Sequence, residues 1–190
     1  MRVIVVGAAG DIGQAVCNAL SLRHEIIKVG CTNGDYLVDI SDFTAVSDLY
    51  RKIGNFDAVV SCAGDATFTP LDQYTQDSFM LGLRQKVMGQ INLLLAGLNV
   101  ISDRGSFTLT SGVLAHDPIR MGVNAATANG ALAGFTKAAA IDMRAGLRVN
   151  VVSPGLLDAS RERYGQWFDG HKTVLSSDVG WRMRRALRGR

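Results

Sequence analysis

"RVIVVGAAGDIG", residues 2–13, is the stretch on which the fold is read. Four aliphatic residues, Val3 to Val6, run into Gly7, and Gly10 and Gly13 follow at intervals of three. β-Branched residues in so short a run suit a buried strand, and the glycines suit a tight turn opening onto a helix. Such a GxxGxxG turn, with Ala9, Asp11 and Ile12 in the same loop, lets backbone N–H groups and a helix N-terminus approach a pyrophosphate. The plainer alternative is a strand-to-helix turn that needs glycine for its geometry alone.

The rest of the chain repeats the strand-then-helix order. Strands are predicted at 2–7, 25–30, 57–64, 105–112 and 147–155, and helices near 11–22, 42–53, 75–98 and 121–145. Parallel strands need crossover helices, so strict alternation implies an α/β fold: a doubly wound, mainly parallel sheet of Rossmann type with helices on both faces. "VDI", residues 38–40, follows the second strand and can place Asp39, with Ile40 beside it, at an adenine edge. "SCAG", residues 61–64, ends the next strand at a small-residue turn, where Cys62, Ala63 and Gly64 leave room for a nucleotide.

Composition sets outer limits. With 190 residues, 47% hydrophobic and 19% charged, the chain reads as a single globular domain over 1–190. Cys17, Cys31 and Cys62 lack CxxC spacing and read as reduced thiols, and no apolar run reaches the length of a membrane helix, so a soluble, cytoplasmic protein is expected. No metal-ligand cluster is visible. The net charge of +3 hides an uneven distribution, because Arg182, Arg184, Arg185, Arg188 and Arg190 crowd the last nine residues. A basic tail can bind nucleic acid, but no interleaved aromatics accompany this one, and last-turn arginines suit the dipole of a terminal helix from Val179 to Leu187. Neither a nucleic-acid nor a membrane partner is expected.

Five stretches in register resemble the short-chain dehydrogenase/reductase family, whose members are single Rossmann-type domains binding NAD or NADP. They are "GAAGDIG", "VDI", "CAGDATFTPL", "FTLTSG" and "RVNVVSPG", and together they span about residues 1–155. The glycine spacing departs from the family's common TGxxxGxG and looks like the variant of its extended and atypical branches. The resemblance implies that Pro154 and Gly155 lie under the nicotinamide and that Ser111 orients substrate. It also places the family's catalytic tyrosine and lysine, the YxxxK pair, at Ala125 and Asn129, so both catalytic side chains are absent. Lys86 stands where the family often has a helix-borne asparagine, and His116 follows Ser111 in the next loop. These three, Ser111, Lys86 and His116, are the candidates for whatever chemistry remains, although Lys86 can equally be a solvated surface lysine and His116 a merely exposed one.

At the end of the second strand Gly30 and Cys31 stand where an acid or an arginine would select between cofactors. No carboxylate there repels a 2′-phosphate and Thr32 and Asn33 can donate to it, so NADP is expected over NAD. The region 156–190 departs most, as a variable substrate loop and C-terminal helix with the family's final strand missing. Self-association as a homodimer or homotetramer through helices 75–98 and 121–145 is implied. Two functions fit: an oxidoreductase moving hydride to or from a small carbonyl or alcohol substrate with a non-standard site, or a cofactor-binding sensor or interaction protein without turnover.

Overall fold

The computed structural model describes residues 1–188, the Arg188 side chain excepted. Strands β1 (Arg2–Val6), β2 (Glu25–Gly30), β3 (Tyr36–Leu37), β4 (Phe56–Ser61), β5 (Ile101–Thr110) and β6 (Arg148–Val152) form one sheet in the order β3-β2-β1-β4-β5-β6, with every pairing parallel. The doubly wound expectation holds. β1 lies at the centre, and successive residues point to opposite faces. Ile4 and Val6 join Val29, Tyr50, Leu93, Phe107 and Leu132 on one side; Val3 and Val5 join Val16, Leu20, Val60, Met183 and Leu187 on the other.

The first layer is closed by α2 (Phe43–Ile53), α4 (Gly89–Gly97) and α5 (Val123–Asp142), the second by α1 (Asp11–Leu20) and α7 (Ser176–Arg188). Local signals explain several ends. Asp42 caps α2 by accepting from Thr44 and Ala45 N–H, and Thr75 and Ser78 form a capping box at the start of α3 (Gln76–Gly82). Gly180 lets α7 approach α1, since a Cβ there would stand 2.5 Å from the Ala15 carbonyl oxygen. Asn124, fully buried, donates to the Phe79 carbonyl at 2.8 Å and accepts from Thr67 N–H at 3.3 Å, tying α5 to α3 and to the loop after β4.

The strands expected at 57–64, 105–112 and 147–155 run over Phe56–Ser61, Ile101–Thr110 and Arg148–Val152, and the structure differs further from the sequence reading in three places. β3 is too short, at two residues, for any period to reveal it. The expected helix 75–98 is helical over 76–97 but widens into a π-turn at Leu83–Met88, between α3 and α4. The region 156–188 folds into short 3-10 turns, α6 (Arg161–Tyr164) and α7, and α7 begins three residues before the expected Val179. No strand follows β6 among the described residues. Arg190 and the Arg188 side chain, part of the basic tail, lie outside the described residues. No helix among them is long and apolar enough to cross a membrane.

Candidate functional site

The strand order reverses between β1 and β4, and the crevice outside the C-terminal ends of such a pair is where open α/β sheets bind ligands. Gly7 leaves β1 at φ +77°, a conformation side chains disfavour, and a Cβ there would meet the Cys62 carbonyl group and Ala63 N at 2.8–2.9 Å. Gly13 allows closer contact still, because its Cβ would lie 2.1 Å from the Gly7 carbonyl oxygen. Gly10 is different: a Cβ there would find no atom nearer than 3.5 Å, so its bareness leaves space in front of α1. Gly10 caps α1 without a side-chain bond, so the first-turn N–H groups face that space. Ala9 is exposed beside it. This cradle suits a pyrophosphate, apart from one acid. The Asp11 carboxylate, in the first turn of α1, accepts from Ser160 Oγ at 2.5 Å and is paired with Arg163.

On the adenine side the predicted residues separate. Thr32 and Asn33 lie in an exposed bend after β2, and Asp39 is exposed with its carboxylate turned back to Ser41 N–H and Oγ at 2.9 and 2.7 Å. Ile40 is buried against Gly89, where a Cβ would come within 2.6 Å of its Cγ1; it belongs to the core and not to a ligand wall. Cys62 is half-buried and its N–H donates to the Val6 carbonyl at 2.7 Å; burial pushes its thiol pKa up, which disfavours the thiolate.

Beyond the glycine loop lies a cavity of about 190 Å³. Ile12, Gly64, Ser111, Pro154 and Gly155 from the expected set line it, as do Ala125 and Asn129, the residues that the resemblance aligns with the family's tyrosine and lysine. Lys86 lines it too, from the π-turn, and Gly64 makes room for it, since a Cβ there would stand 2.8 Å from Lys86 Cα. Burial lowers the Lys86 ammonium pKa to about 8, partly offset by the nearby Asp65 carboxylate. Lys86 is half-buried in the cavity wall. His116, by contrast, stands exposed after the 3-10 turn Val113–Ala115, outside the cavity wall, because that turn points it to solvent.

Ser111 is buried and donates its proton to the Asn129 backbone carbonyl at 2.8 Å, so Oγ presents lone pairs to the cavity. The Asn129 carboxamide leans over Gly112, which has no Cβ to block it, and its Oδ1 is buried without a partner. Sequence reasoning missed the opposite wall. Phe68 stacks on Trp167 at 5.1 Å and meets Tyr164 and Phe168 at 6.0 and 6.3 Å, and three of these rings, all but Trp167, line the cavity. Nothing in their spacing signals this, because Phe68 follows β4 while the other three rings follow β6, far along the chain. Among the described residues no group of three or more His, Cys, Asp or Glu comes together to hold a metal ion.

Known proteins share this fold. The family model described as enoyl-(acyl carrier protein) reductase matches residues 12–176. The crystal structure of lin1944 from Listeria innocua superposes with a TM-score of 0.97 at 39% identity, covering 100% of this chain and 94% of that one. Two crystal structures described as a small-chain dehydrogenase, one of them in complex with NADPH, each superpose with a TM-score of 0.84 at 26% and 25% identity, covering 99% of this chain and 90% and 91% of those chains. No curated protein sequence matches the chain. With the family match spanning most of the chain, a six-stranded parallel sheet and a glycine cradle at its switch point, this chain belongs to the short-chain dehydrogenase/reductase family.

Proposed function

We propose that the chain is an NADP-dependent oxidoreductase acting on a small carbonyl or alcohol substrate, with Lys86 as the proton-carrying group in place of the absent tyrosine and lysine. The observation that carries this reading is Lys86 itself, held in the same cavity as Ser111, Ala125 and Asn129 with a pKa pushed down to about 8. General acid–base groups work best with a pKa near the operating pH. Gly7, Gly10 and Gly13 would hold the cofactor's pyrophosphate, Thr32 and Asn33 its ribose phosphate, and Pro154 and Gly155 its nicotinamide; the NADPH complex of the small-chain dehydrogenase supports the assignment. When bound, the cofactor supplies or accepts a hydride.

The chain's own residues do the rest. The Lys86 ammonium gives a proton to the substrate oxygen during reduction and, as the free amine, takes one during oxidation. Ser111 exchanges its bond to the Asn129 carbonyl for one to the substrate oxygen and fixes its position. Phe68, Tyr164 and Phe168 exclude water from the opposite side. The cavity lies below the ~300–1,000 Å³ of drug-sized ligand sites, so the substrate is small.

A second reading is a cofactor-binding sensor or interaction protein without turnover. It is favoured by Ala125, a methyl where acid–base chemistry would sit, and by the committed Ser111 proton. Screening small aldehydes and ketones for NADPH consumption decides between the two. On the enzyme reading, Lys86→Met and Ser111→Ala each lower the rate about 10²-fold or more while NADPH affinity barely moves in Ser111→Ala. NADPH binding by calorimetry without any turnover selects the sensor.

The proposal also includes self-association through the helical stretches 75–98 and 121–145. Leu95 and Met88 are 45% exposed and Ile141 is 84% exposed, and Gly130 and Gly134 have open space where a Cβ would project. Three free cysteines, Cys17, Cys31 and Cys62, suit a reducing cytoplasmic setting.

A further inference from the structure

Asp11 is an acid placed at the mouth of a site for anions. Its carboxylate sits in the first turn of α1, where the helix dipole and unpaired N–H groups favour negative charge. One oxygen, Oδ2, receives both Ser160 Oγ at 2.5 Å and an Arg163 guanidinium nitrogen. Ser160 and Arg163 come from the segment after β6, 149 and 152 positions away in the chain. A hydroxyl and a guanidinium converging on one anionic oxygen, beside a helix N-terminus, are the parts of a phosphate site. Here the anion belongs to the protein.

We propose that Ser160 and Arg163 bind the cofactor's pyrophosphate and that the Asp11 carboxylate occupies their hydrogen bonds until the cofactor arrives. The inference rests on the NADP reading above and adds to it a pair of phosphate-binding residues and an internal competitor. A pyrophosphate at the start of α1 carries the same charge as Asp11, so the two repel and contend for the same donors. Arg163 is 60% exposed at its side chain and Asp11 24%, which leaves the guanidinium free to pivot while the carboxylate stays near the cradle. The exchange also reaches the cavity, because Ser160 lines it and Tyr164 follows Arg163 directly. Ligation of Arg163 by the cofactor thereby fixes the segment that carries the aromatic wall.

The test is the sign of two isosteric or near-isosteric changes. NADPH is titrated calorimetrically into wild type, Asp11→Asn, Arg163→Gln and Arg163→Lys, at low and high salt, with circular dichroism to check that each variant folds. A competitor and a ligand group move in opposite directions: Asp11→Asn tightens NADPH by about tenfold, Arg163→Gln weakens it by about tenfold and reduces its salt sensitivity, and Arg163→Lys recovers part of the loss. If the ion pair only ties the segment down, both substitutions weaken binding together or leave it unchanged, and the inference is overturned while the NADP reading stands. If neither wild type nor Asp11→Asn binds NADPH, the NADP reading itself fails and takes this inference with it. Binding seen in Asp11→Asn alone supports the competition directly.

Discussion

The two turns that frame the ligand groove are specified by different means. At the β1–α1 turn the shape comes from backbone: Gly7 takes a left-handed conformation, and Gly13 brings helix and turn so close that a Cβ would stand 2.1 Å from the Gly7 carbonyl oxygen. At the β5–α5 side it comes from side chains: Ser111, Ala125, Asn129 and, from the π-turn, Lys86. A backbone cradle tolerates almost no change. A wall of side chains can be exchanged one residue at a time, provided each volume is accommodated. The contrast fits a chain that keeps its family's parallel sheet and a glycine turn while, on the proposed reading, the side chains of the wall have been exchanged.

The comparison breaks most sharply at Gly13. Gly13→Ala forces a methyl onto the Gly7 carbonyl and Ala8, both backbone that cannot swing aside, so a loss of about 3 kcal/mol is expected together with the loss of NADPH binding. Urea unfolding reads the first and calorimetry the second. A protein of unchanged stability would mean that the turn is less rigid than the side-chain wall.

The wall is tested next, through pH. Lys86 has a folded pKa lowered to about 8 from its ordinary value of 10.5. Below about 8 it is an ammonium, so kcat/KM for carbonyl reduction falls as pH rises through about 8, while alcohol oxidation rises over the same interval. Lys86→Met removes both inflections, and Lys86→Arg, charged at every accessible pH, moves the fall upward. The linked stability has a definite sign: between about 8 and the unfolded value the folded state binds fewer protons, so stability rises with pH across that window. Below it, Lys86→Met is the more stable protein.

The smallest effect belongs to the outer face of α5. A Cβ at Gly134 would find nothing within 4 Å, so Gly134→Ala stabilises the isolated helix by about 0.5–1 kcal/mol and raises the melting temperature of the monomer. If α5 packs on a second copy, the added methyl meets that copy, and light scattering shows weaker association in the same variant.

Much of the architecture was legible because it depends on period and on glycine. The aliphatic runs of β1, β2, β4 and β6 and the spacing of Gly7, Gly10 and Gly13 determine a parallel sheet with a nucleotide-type turn, since buried strands and close backbone approach leave few alternative residues. Ser111, Lys86, Ala125 and Asn129 could be placed together by their resemblance to motif positions, and the cavity joins them. His116 and Ile40 show the limit of that reasoning, because a one-residue turn of the backbone decides whether a side chain faces ligand, core or water.

What only the tertiary structure decided lies in long-range convergence. Tyr164 stands far in sequence from the helix that begins at Val123, yet α6 carries it to the cavity, and Phe68 reaches the same wall from the loop after β4. The pairing of Asp11 with Ser160 and Arg163, the lowered pKa of Lys86 and the unpartnered Asn129 oxygen all arise from contacts between segments whose separation no local pattern encodes. Periodicity specifies which face of an element is buried; it carries no information about which distant element will cover it, and here the charges and hydroxyls of the site are set by that cover.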